Sequence, residues 1–410
     1  MIPTHVHVVG AGLAGLAAAL SLIERGVRVT VHESGPAAGG RCRSYFDREL
    51  GCRIDNGNHL LLSGNQAAYE FLDQVGSTAT LAGPKTPLFP FIDLATGERW
   101  ALRPNAGRLP FWILSPSRRV PGTKPADYLQ VLKLRRAGQD ATVAATLPPG
   151  TLYRRLLEPL AIAALNTRPE TGSALLLAAV IDESLARGGA ACIPAYPAEG
   201  LSETFIDPAV AWLGAHGAEI RFGSRVSSLE HDGARVTRVG PHPIAGDEAV
   251  ILAVPAAVAT ALLPGTSAPD QFEAILNVHF RADADLGEAG FVGVIGGTAE
   301  WVFSKPGVVS TTISAANRSV DTPSVALAQQ VWQDVCAILR QGQPLPPWRV
   351  VKEKRATFAA TPDQDRRRPP ARTGLANLAL AGDWTATGLP ATIEGAIRSG
   401  RAAAHCILTP

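Results

Sequence analysis

Disulfides, metal motifs, strong net charge and membrane-length apolar runs are all missing from this 410-residue chain. Its five cysteines (Cys42, Cys52, Cys192, Cys336 and Cys406) are an odd, scattered set with no pair at metal-ligand spacing. That excludes a disulfide scaffold and points to reduced thiols in the cytosol. Lysine and arginine number 38 against 36 acidic residues, a net charge of +2, so no global field calls for nucleic acid. The local run Arg366-Arg367-Arg368 is expected to be a solvated loop face. The longest uncharged apolar run, Ala249 to Leu263, contains Pro255 and falls short of the roughly 20 residues needed to cross a bilayer, so it reads as strand plus helix. The N-terminus passes almost directly into a first strand, so no cleaved signal peptide is expected. No zinc signature, serine nucleophile elbow or paired-carboxylate motif is present, which leaves redox chemistry on a cofactor, with no metal site expected.

What is present begins at once. His5 to Val9 is a β-branched run, Gly10-Ala11-Gly12-Leu13-Ala14-Gly15 is a turn, and Leu16 to Arg25 is an alanine- and leucine-rich helix that Gly26 stops before a second strand, Val27 to His32. Each glycine has a mechanical reason. Gly10 allows the tight turn, Gly12 lacks the Cβ that would block a pyrophosphate, and Gly15 lets the helix lie close on the strand. The helix N-terminus offers unpaired N–H groups and a partial positive charge to the phosphates. Glu33 ends the second strand, where a carboxylate can take ribose hydroxyls. An acid there argues against a 2′-phosphate and leaves NAD or FAD.

Further motifs decide between them. Gly39-Gly40-Arg41-Cys42-Arg43-Ser44, then Asp55-Asn56-Gly57-Asn58-His59, and at the far end Ala381-Gly382-Asp383-Trp384 with Gly388-Leu389-Pro390-Ala391-Thr392-Ile393-Glu394-Gly395-Ala396, resemble the flavin fingerprints of the flavin-dependent amine oxidase and carotenoid desaturase superfamily. The resemblance implies FAD and an α/β fold: a Rossmann-like FAD-binding domain of the GR2 type (residues 1–82, 196–265 and 371–410) with an interleaved α+β substrate domain (83–195 and 266–370). It implies flavin contacts at Gly10, Gly12, Leu13, Ala14, Gly15, Glu33, Gly40, Arg41, Gly57, Asn58, His59, Gly382, Asp383, Thr392, Glu394, Gly395 and Ala396. It also implies that the strand holding Val226 offers its backbone to the adenine. His59, carried toward the flavin ring by its turn, is the candidate catalytic proton donor.

The rest of the chain is placed around these motifs. Cys52 to Leu62 and a helix over 65–75 finish the first flavin segment, and a proline- and aromatic-rich stretch then suggests strands and turns. Residues 124–190 look helical, with apolar runs at Leu156 to Leu165 and Ala174 to Ile181 expected to form the floor and wall of a substrate cavity. Short strands follow at 218–222, 226–231, 235–239 and 249–254, then at 291–295 and 308–313, with a helix over 325–340. In the closing segment Thr392, Gly395, Ala396, Ser399, Gly400 and Ala403 share one helical face and are all small, so a bulky cofactor is expected to approach that face, with Thr392 as the N-cap.

Within the superfamily, Glu158-Pro159-Leu160, Leu165-Asn166-Thr167 and Gly200-Leu201-Ser202, taken with the end motifs, resemble the hydroxysqualene dehydroxylases of squalene and hopanoid biosynthesis. That resemblance implies reductive dehydroxylation of a long apolar isoprenoid with reduced FAD, an electron donor that no motif identifies, and a cytoplasmic protein in peripheral contact with the inner face of the membrane. The candidate patch is Phe111-Trp112-Ile113-Leu114 with Arg118, Arg119 and Lys124. Two rivals stay open: a desaturase or amine oxidase running the flavin oxidatively, and a non-catalytic lipid-binding protein like the Rab GDP dissociation inhibitors.

Overall fold

In a computed structural model describing residues 2–409, two large sheets organise the chain. The first is parallel, in the order Glu219–Arg221, Arg28–His32, His5–Val9, Glu248–Leu252, Leu378–Leu380. Successive side chains on a strand point to opposite faces, and this divides the sheet cleanly. Val6, Val8, Val29, Val31, Ala249 and Ile251 share one core with the helices Leu13–Ile23, Asp207–Ala215 and Ile393–Leu408. Val9, Val250 and Leu252 face a second core under a small antiparallel sheet of Leu229–His231, Val236–Val239 and His242–Pro243.

Two boundaries differ from the sequence reading. The first helix begins at Leu13 rather than Leu16, because Leu13, Ala14 and Gly15 already form its first turn. Of the stretch from Val226 to His231 only Leu229–His231 pairs as a strand. Val226 is buried in extended chain ahead of it, lying against the Gly240 turn.

The second sheet has seven strands, in the order Trp348–Phe358, Phe272–Phe280, Val308–Ile313, Trp301–Lys305, Phe291–Ile295, Phe89–Asp93, Arg99–Leu102. All neighbours are antiparallel except Phe291–Ile295 against Phe89–Asp93. Leu276, Val278, Val292, Val302 and Val309 pack one face onto the amphipathic helix Ser324–Leu339. Cross-strand register lines the other face with two rows. One runs Phe91, Gly293, Trp301, Thr312, Asn277; the next includes Phe291, Phe303, Ser310 and His279. Both change from aromatic to polar along their length.

Residues 124–190 are less helical than the pattern suggested. Pro125–Arg136 is a run of tight 3₁₀ turns, and regular helix is confined mainly to Glu158–Leu165 and Ala174–Glu183. Leu156, Leu157, Ala161, Leu165, Leu177 and Ile181 are buried in one cluster with Trp100, Trp112 and Phe358, so these side chains are core. Asn166 ends the first of these helices in the left-handed conformation and ties it to the seven-stranded sheet, donating to Thr357 Oγ1 (3.0 Å) and accepting from the Ala315 N–H (2.7 Å). Thr167 Oγ1 accepts from the Ala360 N–H.

Candidate flavin site

The glycine loop is held by backbone crowding at two of its three glycines. A Cβ at Gly10, where φ is +105°, would lie 2.4 Å from Ala253 O, and one at Gly15 would lie 1.9 Å from Gly10 O. Gly12 is different, because a Cβ there meets nothing within 4 Å. It is the N-cap of the first helix, no side chain caps that end, and no acid occupies its first turn. Leu13, Ala14 and Gly15 therefore present an open helix mouth, which fits a pyrophosphate. The second glycine pair buttresses the loop: Gly39 N donates to Ala11 O (2.8 Å), and Gly40 lies over Gly12. Glu33 stands beside this mouth, accepting from the N–H groups of Ala11 (2.9 Å) and Gly35 (2.7 Å).

The closing motif arrives from the far end of the chain and is latched here. Arg41 donates to Asp383 Oδ1 (2.6 Å) and to Ala356 O (2.6 Å), joining the second glycine loop to both sheets. Gly382 N donates to Ser399 Oγ and Trp384 Nε1 to Val254 O. Arg368, expected on a solvated face, is instead buried. Its guanidinium donates to Thr385 O (2.9 Å), Asp383 O (3.2 Å) and Thr387 Oγ1 (2.7 Å) and pairs with Asp365, so it braces the loop after Asp383. Only Arg366 and Arg367 pair at the surface, with Asp140 and Asp270.

Thr392 caps the last helix as expected, its Oγ1 accepting from Gly395 N (2.9 Å), with Ala396 in the turn that follows. Two expectations for this helix need correction. The small-residue face is not wholly open to a cofactor, because a Cβ at Gly400 would lie 2.1 Å from Ala14 O: its distal half is a helix–helix contact. The Glu394 carboxylate is buried and accepts from the N–H groups of Ala67 and Ala68 and from Arg398, capping the helix Gln66–Val75 rather than facing a ligand.

The Asp55–His59 turn meets the polar end of the rows on the second sheet. Asn58 Nδ2 donates to Thr312 Oγ1 (3.0 Å), Thr312 Oγ1 donates to Asn277 Oδ1 (3.0 Å), and Asn277 Nδ2 donates to Asn56 O (3.2 Å) and packs against Gly57. Asp55 is buried. It pairs with Lys305 and accepts from Ser44 Oγ (2.6 Å) and Leu201 N (2.8 Å), which explains the Gly200-Leu201-Ser202 motif. His59 lies in this crevice with one edge open. Burial pushes its imidazole down to about 4, the nearby Lys305 and Arg41 acting the same way against the pull of Asp55. Its environment therefore favours the neutral ring, so a role as proton donor would require its protonation at the moment of reaction.

Lys305, Asn277 and Thr312 were missed because no local pattern marks them; each is defined by a partner on the Asp55–Asn58 turn, far away in sequence. Asn58 Oδ1, among the buried polar atoms without a protein partner, adds an unmet acceptor to the crevice. Together the helix mouth, the Asp383 loop and the crevice fit an elongated dinucleotide carrying a redox ring. A cavity of about 970 Å³ between Trp100, Asp283 and Arg340 is lined by Phe91 at the aromatic end of the row but by none of the helix-mouth, Asp383-loop or Asp55–His59 residues.

Comparison with known proteins agrees. The family model for flavin containing amine oxidoreductases matches residues 13–284 and 295–408. Hydroxysqualene dehydroxylase of Sinorhizobium fredii is 46% identical over 413 aligned residues, covering 100% of this chain and 99% of that protein. The Rhodopseudomonas palustris protein of the same name is 47% identical, with 98% of each covered. Among solved structures, cyclohexylamine oxidase from Brevibacterium oxydans superposes with a TM-score of 0.70 at 18% identity over 99% of both chains, which is a likeness of fold. The chain is an FAD-dependent oxidoreductase that belongs to the flavin-containing amine oxidoreductase family and, within it, groups with the hydroxysqualene dehydroxylases.

Proposed function

We propose that the protein reductively dehydroxylates hydroxysqualene to squalene. The observation that carries this reading is identity of 43–47% along essentially the whole chain to three proteins named for that activity. When bound and reduced, FAD would supply the hydride for the carbon that loses its hydroxyl, which would leave with a proton as water. The chain's own part is to hold the dinucleotide at the Gly12 mouth, beside Glu33, Arg41 and Asp383, and to place an apolar substrate along Phe91, Trp301 and Phe291 with its hydroxyl at the polar end. There Asn58, His59 and Thr312 offer hydrogen bonds. Exclusion of water from such a crevice protects a cationic carbon from recapture and strengthens attraction to negative charge. Purified protein given hydroxysqualene and a chemical flavin reductant, then extracted, should yield squalene. Flavin reoxidation without squalene would refute the reading.

We also propose that the substrate is taken from a membrane. No helix among the described residues is long and apolar enough to cross one, yet Leu109, Phe111, Leu114, Leu129 and Leu132 are each more than half exposed. Apart from Leu109, just ahead of the first, they lie on two 3₁₀ segments joined by an edge-to-face contact between Trp112 and Tyr128 (5.3 Å). Trp112 is buried and anchors the projection instead of forming its tip. Arg118, Lys124, Lys133 and Arg136 are exposed near these side chains, the pattern of an interfacial anchor on the inner face of a cell membrane. Sedimentation with anionic liposomes at low salt should be lost when Phe111 and Leu114 are both changed to Ser.

A further inference from the structure

One face of the parallel sheet carries an unusual load. Toward the small antiparallel sheet the first strand presents His5 and His7 where an apolar core would take β-branched residues, and both are buried. His32 on the neighbouring strand is also buried, and His242 approaches from the antiparallel sheet, so four imidazoles cluster with centroid separations from 4.3 to 6.1 Å. Glu248 pairs in register with His5 on the adjacent parallel strand. Buried polar rings cost stability unless something satisfies them, and none of these groups belongs to the flavin crevice.

We propose that His5, His7 and Glu248 form a binding site for one divalent transition-metal ion of the Zn²⁺ class. Three observations carry it. First, one ligand atom from each residue lies within 4.8 Å of the others: His5 Nδ1 is 3.1 Å from Glu248 Oε1, and His7 Nε2 is 4.0 Å from Glu248 Oε2. Ligand atoms about 2.0–2.2 Å from a tetrahedral zinc stand about 3.4 Å apart, so the three need to move by less than about 1 Å. Second, the ring nitrogens facing away are already anchored. His5 Nε2 is 2.9 Å from Thr30 Oγ1, His7 Nδ1 is 3.1 Å from His32 Nε2, and His32 Nδ1 is 3.2 Å from Ser224 Oγ. Such outer partners fix the tautomer and orientation of metal-binding imidazoles. Third, the site has an entry. The Glu248 side chain keeps partial exposure, and Arg28, 3.9 Å from it, is largely exposed and can swing outward.

Two histidines and one carboxylate leave a fourth position for water, and the donor set suits Zn²⁺ or a neighbouring first-row ion. The ion would clamp His5–Val9 to Glu248–Leu252, two strands 243 residues apart in sequence. Since His32 precedes Glu33, the site backs onto the ribose-binding end of the clamp without entering it.

The test uses untagged, FAD-loaded protein, because an affinity tag of histidines binds the same ions. After chelation, loading with ZnSO₄ and gel filtration, elemental analysis should find one zinc per chain. X-ray absorption at the zinc edge should show a nitrogen/oxygen shell near 2.0 Å with two imidazoles. Glu248→Gln and His7→Gln, each checked for unchanged flavin content, should lower zinc affinity at least tenfold and remove the zinc-dependent rise in melting temperature. Substoichiometric zinc in the wild type would overturn the proposal, as would a shell without imidazole or equal retention by folded variants. If His7→Gln fails to fold, Glu248→Gln and the absorption spectrum still decide.

Discussion

In the proposed function the Gly10–Gly15 clamp holds the cofactor and the row from Phe91 to Asn277 faces the substrate, and the two are built in opposite ways. The clamp is a single continuous stretch whose tightest contact, Gly15 against Gly10 O, lies within it, with Ala253 and Gly39 pressing on it from outside. The row takes one residue from each of five strands spread between Phe91 and Thr312. A local device can be recognised from spacing because spacing is its geometry. An assembled one depends on register, and a slip of one residue turns every side chain to the other face.

The sharpest way to break the comparison lies within the clamp. Gly15→Val should give no folded protein, because its Cβ meets backbone at 1.9 Å. Gly12→Val should fold, having open space for the side chain, but purify colourless, because the methyls occupy the pyrophosphate position. Absorbance at the flavin bands and circular dichroism separate the two outcomes. A yellow Gly12→Val protein would remove the clamp assignment.

The join between the regions should show the next largest effect. Lys305→Met leaves the Asp55 carboxylate buried with only Ser44 and Leu201 as partners. Removing one member of a buried pair costs about 3–5 kcal/mol, so urea unfolding of the apo-protein should shift to a much lower midpoint. A surface pair such as Arg366–Asp140, broken by Arg366→Ala, should cost at most about 1 kcal/mol.

At the assembled end, His59→Ala should slow turnover roughly 10²-fold with flavin still bound, the scale for losing a positioned proton-transfer group. The pH profile sharpens the assignment. With its imidazole held near 4, His59 is protonated in only about one molecule in a thousand at pH 7. If it is the acid, single-turnover rates should climb about tenfold per unit as pH falls from 7 to 5. A flat profile over that range would remove His59 as the acid.

The smallest effect concerns His279, buried on the polar part of the second row with its Nδ1 2.8 Å from Ser310 Oγ, and pushed down to about 4 chiefly by burial. Its folded value lies below the unfolded one, so the unfolded chain takes the proton first. The stability from keeping it neutral is complete above about pH 6.5 and is lost as pH falls toward 4. Between pH 6.5 and 5.5 the unfolding free energy should drop by on the order of 1 kcal/mol from this group, and His279→Gln should flatten the slope.

Residue by residue, the sequence alone settled the strand–glycine–helix clamp, the Glu33 position, the Thr392 cap, the FAD cofactor and the family, because each rests on neighbours within a few turns or on motif order. Tertiary structure decided the rest. It buried Arg368 beneath the Asp383 loop, turned Glu394 to cap another helix, gave half of the small-residue face to the first helix, and held His59 neutral beside Asp55 and Lys305. It also set His5 and His7 against Glu248. These outcomes depend on which distant segment arrives beside a side chain and how much water it displaces. That is a property of packing and register, which no local spacing encodes.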